Sequence, residues 1–572
     1  MSDAAASGYQ LLEEPWIRVL DLQGRERSVS LREVFAEAHE LDRLAGELPT
    51  QDFAVLRILL AVLYRALDPR EQRDPCGAWG QLWRAERLPM DRIDPYLEQW
   101  RDRFDLLHPS APFLQTPDLR TAKGEWKALD ILVADSDDDG ALFTMRSRLD
   151  AIPLDEAARW LIHAHAFDYS GIKSGAVGDD RVKGGRGYPL GVGWCGWLGG
   201  TWLEGRSLRE TLLLNLVLKR EQRSARDVPP WELEPMTSAA RNPEETGPFG
   251  QVSLLSWPQR RIRLHAEGNR VTGVLITNGD PLDYTIQHTR ELMSGWRYSV
   301  HQSKKAKAVR YMPQTLSPER ALWRGLASFL PTKVPEAVAN PKPESLPAGV
   351  LNWIDRLMHA EELAEDYLLG VHVVSMVYGN KESSFSDIAE DRLEFAALLA
   401  NSNHPELRGI ATAAAERAEK TVSELSRLAN NLAIATGVDQ SNTESGKKKQ
   451  RAEGDRIAER AYAVLNREYP IWLRGLRDPA TAEQALASWT RTVWELANRL
   501  ALEAIAAAPP AAWVGHKHRE RKQHINVAVA DHYFHKELRN ILPRVDFSEP
   551  SETTGLPKYT STTPNTMKRS DE

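Results

Sequence analysis

The stretch SGIKSGAVGDDRVKGGRGYPLGVGWCGWLGG, residues 170–200, carries Lys173, Arg181, Lys183 and Arg186 among its glycines and ends in tryptophans. Glycine at this density can cradle a phosphate, cover a nucleotide or turn a chain sharply. Gly191-Val-Gly193-Trp-Cys-Gly196 is a formal G-x-G-x-x-G. Dinucleotide binding by that motif needs a buried strand before it and a helix directly after it. The preceding RVKGGRGYPL is no strand, and Trp194 puts a bulky ring where the turn has to be tight. No G-x-x-x-x-G-K-[ST] occurs in the stretch, so no cofactor is expected.

Other candidates for chemistry fare no better. Asp135, Asp137, Asp138, Asp139 and Gly140 match the first half of a calcium loop. Its twelfth position, where a bidentate glutamate belongs, is Arg146. His516, His518, His524, His532 and His535 lack the H-E-x-x-H spacing of a zinc site. No G-x-S-x-G elbow occurs, and Cys76 and Cys195 are the only cysteines. No metal and no enzymatic activity are expected. Trp296-Arg297-Tyr298 leads into Lys304, Lys305, Lys307, Arg310 and Tyr311. Cations interleaved with rings suit a nucleic-acid backbone with stacked bases, and equally suit a lysine-rich surface loop.

Local patterns outline the elements that have to position these groups. Trp16–Leu20 and the region of Val29 read as strands around Gly24, followed by a helix from Leu31. Residues 51–67 form a strongly apolar helix ended by Asp68-Pro69, and a second helix covers Trp79–Trp100. A helix at Leu154–Ala166 precedes the glycine-rich stretch, and residues 207–219 form another. Residues 251–280 alternate and turn at Glu267-Gly268-Asn269, the pattern of antiparallel strands. Helices return at Pro318–Phe329 and Leu351–Leu369. From about Ile388 the periodicity becomes helical: Leu407, Ile410, Ala414, Ala418, Val422, Leu425, Leu428 and Leu432 share one face. Ile457–Leu465, Leu486–Leu500 and Ile525–Leu542 continue it, which predicts a C-terminal helical bundle interrupted by a polar loop at 437–455. The Ser/Thr/Pro-rich tail from 546 reads as disordered.

Composition sets the class. The 572 residues suffice for two or more domains, and 42% hydrophobic with 27% charged residues is ordinary for a globular protein. Tryptophan, with 18 copies, outnumbers both tyrosine and phenylalanine and implies large cores or interfaces. A net charge of −7 means that nucleic acid has to meet local basic patches rather than a general field. Two cysteines exclude a disulfide framework. No signal-peptide pattern opens the chain and no run approaches a membrane span, so a cytoplasmic location without membrane contact is expected.

Several segments together resemble the CasA family, the large subunit of the type I-E CRISPR Cascade surveillance complex. They are EPWIRV (14–19), HPSAPFLQT (108–116), SGIKSG (170–175) ahead of RETLLLNLVL (209–218), LLSWPQRRIRL with VTGVLITNGD (254–280), and VYGNKESSF (377–385). The resemblance implies an α+β fold: a mixed N-terminal domain over 1–380, a C-terminal four-helix bundle over 386–545, and a tail at 546–572. It implies a non-catalytic subunit whose partners are crRNA, target double-stranded DNA, other Cascade subunits and the Cas helicase–nuclease. Such a subunit reads the protospacer-adjacent motif (PAM) from the minor groove and parts the strands.

By the same resemblance, the PAM loop falls at Phe167-Asp168-Tyr169-Ser170-Gly171, with Ser170, Gly171 and Lys173 as DNA contacts. Here Asp168 and Tyr169 depart from the family's glycine-rich pattern. The minor-groove lysine maps to Lys304 or Lys305, and the strand-separating wedge to Asn380, Lys381, Glu382 and Ser383. Glu382 stands where the family has glutamine. The crRNA 5′-handle contact maps to Phe143, Thr144, Met145 and Arg146. The rival readings are a helical scaffold that binds only proteins, and a nucleotide-dependent enzyme using the glycine-rich stretch.

Overall fold

The computed structural model describes residues 8–67, 74–134, 149–218, 224–331, 343–437, 444–517 and 523–543, with residues 243 and 444–451 by backbone only. The chain divides into two compact units, Met1–Glu419 with Tyr462–Leu486, and Lys420–Ala461 with Ala487–Glu572. Among the described residues, no helix is long and apolar enough to cross a membrane.

The first unit is built around the Pro49–Ala66 helix, which starts with proline at its first turn and an acidic Asp52 there. Residues Phe53–Tyr64 are buried without interruption, as expected of a helix apolar on every side. It packs against the Leu154–Phe167 helix, buried over nearly its whole length. The Trp79–Trp100 helix is instead two, Pro75–Arg84 and Met90–Gln99, because Pro89 stands at the entry to the second.

The expected hairpin is present as Arg260–Glu267 paired antiparallel with Arg270–Asn278, turning at Gly268 with φ +60°. Residues Gln251–Leu255 ahead of it are a short helix, not a strand. A second sheet runs in the order Phe385–Ala396, Leu368–Tyr378, Gly200–Glu204, all antiparallel. The sequence reading missed its two long strands. It carried a helix through Leu369, which ends at His359, and began helical structure near Ile388, where the first long helix starts at Pro405.

Tryptophan does what its abundance suggests. Trp16, Trp79, Trp160, Trp194, Trp231, Trp296, Trp323, Trp353 and Trp489 are fully buried. Several satisfy their N–H internally, as Trp79 does by donating to the Leu213 carbonyl at 2.7 Å.

The long helices are Pro405–Ala435, Glu444–Gly475, Ala482–Ala506 and Val527–Ile541. In the second unit Val422, Leu425 and Leu428, then Ile457 and Ala461, then Val493, Ala497 and Leu500, then Val527, Ala530, Phe534 and Leu538 are buried at helical spacing. The helix from 444 onward occupies most of the stretch read as a polar loop.

Candidate nucleic-acid interface

The loop after the Leu154–Phe167 helix is organised by buried charge. Asp168 caps the helix, donating its N–H to the Ala164 carbonyl at 3.1 Å, and leaves it in extended conformation. Its carboxylate is buried and paired with Lys173 at 2.8 Å and with the Arg260 guanidinium. Burial is the largest influence on the Asp168 carboxyl and pushes it up. The charges and hydrogen bonds of Lys173 and Arg260 outweigh burial and hold the group below the ordinary carboxylate range. Arg260, fully buried, also donates to the carbonyls of Tyr169 at 3.2 Å and Gly191 at 2.8 Å. One guanidinium thus pins both the loop and the glycine-rich segment beyond it.

Gly193 and Gly196 of that segment serve packing. A Cβ on Gly193 would stand 2.4 Å from the Ala166 carbonyl oxygen, and one on Gly196 would stand 2.1 Å from the Tyr378 hydroxyl. A side chain at Gly193 would collide with backbone, and one at Gly196 would force the Tyr378 ring to move. Gly193 donates its N–H to the Asp168 carbonyl at 2.8 Å. Trp194–Trp197 form a 3-10 turn rather than the helix a dinucleotide motif requires.

VYGNKESSF is the tip of the hairpin joining Leu368–Tyr378 to Phe385–Ala396, not a link between a helix and the bundle. Gly379 closes it by donating to the Ser384 carbonyl at 2.9 Å. Lys381 and Glu382 both stand in the left-handed region, at φ +56° and +58°, which neither residue type favours. Asn380, Lys381 and Ser383 are exposed or partly so, and Glu382 is half-buried. Burial pushes the Glu382 carboxyl above its ordinary range.

Loop and tip meet. The Ser170 N–H donates to the Glu382 carbonyl at 2.8 Å, and the Tyr378 hydroxyl donates to the Phe167 carbonyl at 2.7 Å. The Tyr169 ring lies edge-on to Phe385 with centroids 5.5 Å apart, and the Lys173 ammonium sits 4.1 Å from the centre of the Tyr169 ring. Two segments more than two hundred residues apart in sequence therefore form one local surface. Within it Lys173 is committed to Asp168 and Tyr169, so its charge is not free for a phosphate. Ser170 is buried and engaged through its backbone. Gly171 is half-buried, and a Cβ there would meet only the Tyr169 ring at 3.6 Å, an ordinary contact.

Lys304 and Lys305 are exposed in the last turn of the Val300–Ala306 helix. Ser299 caps its start, accepting from the Gln302 N–H at 3.3 Å, and Lys307 ends it in left-handed conformation. Cations at a helix C-terminus complement its dipole, which gives the lysines a reason of their own to be there. The rings beside them are not free to stack on bases as the sequence suggested. Trp296 and Tyr311 are buried, and Tyr298 packs edge-on to Tyr311 at 5.7 Å. If the pair meets a duplex, the Lys304→Ala/Lys305→Ala variant should lower the salt slope of duplex binding by about one per lysine. An unchanged slope would leave the pair as a helix terminus alone.

Phe143, Thr144, Met145 and Arg146 lie outside the described residues, as does the acidic loop at 135–140. Among the described residues, no group of three potential ligands could hold a metal ion. Cys195 is buried, which pushes its thiol up to about 12. His163 and His165 are held neutral by burial, at about 3 and about 4. Sequence reasoning missed Arg260. Its signal was an arginine pair, Arg260-Arg261, at the start of an alternating strand; Arg261 pairs with the buried Asp280 at 2.9 Å.

This mixed fold is shared with solved proteins of one class. The structure of Thermobifida fusca Cse1 matches with a TM-score of 0.83 and 38% identity, covering 94% of this chain and 98% of that one. A chain of a solved CRISPR RNA-guided surveillance complex shares the fold at a TM-score of 0.62 and 17% identity, covering 87% of this chain and 99% of that one. A curated relative from Thermus thermophilus, the CRISPR-associated protein CasA/Cse1, is 34% identical over 333 residues, 56% of this chain. The aligned part spans 60% of that relative's length. The profile of the family described as CRISPR-associated protein Cse1 matches residues 10–500, and the chain belongs to that family.

Proposed function

We propose that the chain is the large, non-catalytic subunit of an RNA-guided CRISPR surveillance complex of type I-E that reads the PAM in double-stranded DNA and helps open the duplex. The observation that carries this reading is the union of loop and hairpin tip through Ser170 and Glu382. A strained, exposed turn braced by aromatic stems beside a small-residue loop suits entry between base pairs. Gly171 adds support. Its φ is not in the left-handed region and its Cβ position is open, so the fold itself does not require glycine there. In this reading the absent side chain leaves room for close approach to a groove.

In this reading the protein senses the PAM and the guide reads the remaining sequence by pairing, a division known from another effector class. Ser170 and Gly171 approach the groove floor, Lys173 acts from behind by holding Asp168, and Lys304 or Lys305 reaches the minor groove. Asn380, Lys381, Glu382 and Ser383 form the wedge. Phe143, Thr144, Met145 and Arg146 contact the crRNA 5′ handle. Functionally, residues 1–380 together with the Phe385–Ala396 strand carry recognition, the long helices from Pro405 to Ile541 form a four-helix bundle that starts later than the expected 386, and 546–572 are a tail. The bundle and neighbouring surfaces meet other Cascade subunits and the Cas helicase–nuclease in the cytoplasm. Exposed Trp513 and Val514 provide apolar surface of the kind protein docking uses.

The test compares PAM-bearing and PAM-scrambled duplexes on the assembled complex. The wild type should prefer the PAM duplex. Gly171→Ala should fold with unchanged melting temperature and lose about tenfold or more of that preference, where each tenfold is about 1.4 kcal/mol of lost approach to the groove. Equal binding of both duplexes by the wild type would refute PAM reading.

A further inference from the structure

The segment that follows the loop is a small ribbon, Lys173–Ser174 paired antiparallel with Arg186–Gly187. Its far end is closed by Lys183-Gly184-Gly185-Arg186. Lys183 and Arg186 exchange both backbone hydrogen bonds at 3.1 Å, and Gly184 and Gly185 take φ +58° and +72°. This is a two-residue hairpin turn with two left-handed centres, the geometry that glycine pairs favour. Residues that exchange both bonds across such a turn stand opposite each other, with side chains on one face of the ribbon.

Lys183 and Arg186 are therefore like charges placed face to face, an arrangement that costs stability. Both are exposed, and among the described residues neither forms an ion pair. Their neighbours differ: Lys173 is spent on Asp168, and Arg181 is locked to Asp179 at 2.8 Å and to the Gly279 carbonyl at 2.9 Å. Of the four cations in the glycine-rich stretch, the fold neutralises two and leaves two side by side at a tip. Exposed Ile172 and Tyr188 flank the root of the same ribbon. The ribbon grows directly out of the loop joined to the hairpin tip, so whatever the loop approaches, the ribbon tip approaches from one side.

We infer that the Lys183–Arg186 tip is a second contact to duplex DNA, gripping the phosphate backbone beside the groove that the 168–171 loop enters. The inference rests on the duplex-reading role proposed above and adds to it a site that positions without reading sequence. Two unpaired cations about 5.5 Å apart at their backbone match a polyanion whose binding relieves their mutual repulsion. An acidic protein surface would meet the same charges, and the test separates the two.

The experiment measures binding of the assembled complex to a PAM-bearing duplex across a salt titration. Lys183→Ala/Arg186→Ala should reduce the slope of log affinity against log salt by about two, and lower affinity about tenfold at about 0.15 M salt. PAM preference should stay, because phosphate contacts carry no sequence information. Lys183→Arg/Arg186→Lys should restore both slope and affinity. The melting temperature of the alanine variant should equal or exceed the wild type's, since a repulsive pair is removed. If wild-type binding is salt-dependent and PAM-selective but the alanine variant keeps its slope, the ribbon contact is refuted and the duplex-reading role stands. If the wild type binds no duplex, the role itself fails. Failure of the charge-keeping variant to restore binding would also overturn the inference, as would intact duplex binding with loss of a protein subunit from the complex.

Discussion

Asp168→Asn is expected to destabilise the chain by about 3–5 kcal/mol, the cost of removing one partner from a buried ion pair. The reason is what it strands. Arg260 and Lys173 remain buried, and among the described residues neither has an ion pair with another carboxylate. The amide can accept hydrogen bonds but offers no charge. Arg260→Met with Asp168→Asn should recover part of the loss, because the worst-placed charge then goes as well. The pH dependence has a definite sign. The folded-state carboxyl is held below its unfolded value, so its contribution is fully present above the unfolded value, about 3.9, and is lost as pH falls through the folded one. Wild-type melting temperature should therefore drop more steeply than that of Asp168→Asn as pH falls below about 4. Identical pH profiles, or a loss under about 1 kcal/mol, would show that the cluster is not what orders the loop.

Replacing Asn380–Ser383 with four glycines should leave the fold nearly unchanged and suppress strand opening at least tenfold. The two halves have separate causes. Lys381 and Glu382 each bear a left-handed conformation costing roughly 1–2 kcal/mol, which glycine removes, while glycine adds roughly 0.5–1 kcal/mol of unfolded-chain entropy per residue. These terms largely cancel. The hydrogen bond from Ser170 goes to the backbone carbonyl at 382 and survives any side-chain change. Opening is different, because unstacking a base step costs a few kcal/mol and glycine brings nothing to replace the lost contacts. Lys381 can hold a displaced phosphate. Glu382 can accept from cytosine N4 when ionised, and its raised pKa also lets the protonated form persist to higher pH than an exposed glutamate. Opening is read by permanganate reactivity or 2-aminopurine fluorescence next to the PAM in the assembled complex. Wild-type kinetics in the glycine variant would reduce the tip to a connector.

What was legible in the chain was local. The Pro49–Ala66 helix shows in an unbroken apolar run behind a proline, the 260–278 hairpin in alternation around Gly268, and the Pro405–Ala435 helix in the spacing of Leu407, Ala414, Val422 and Leu428. The strands Leu368–Tyr378 and Phe385–Ala396 were not legible. The first is buried on most of its residues, which blurs its alternation, and the second, FSDIAEDRLEFA, carries Ala389, Leu393 and Ala396 at i, i+4 and i+7, a spacing that passes for helical.

The sequence by itself determined the family, the absence of any local catalytic motif, and the segments at 168–171 and 380–383 proposed to bear on DNA. Those depend on residue identity and spacing along the chain. Tertiary structure alone decided that the two segments touch, and how each cation in the glycine-rich stretch is placed. Lys173, Arg181, Lys183 and Arg186 look alike in sequence. Their surroundings diverge because a buried charge has to be paired, and the partners come from wherever the fold brings them: Asp168, itself held by Arg260 ninety-two positions away, takes Lys173, Asp179 takes Arg181, and the turn leaves Lys183 and Arg186 facing solvent.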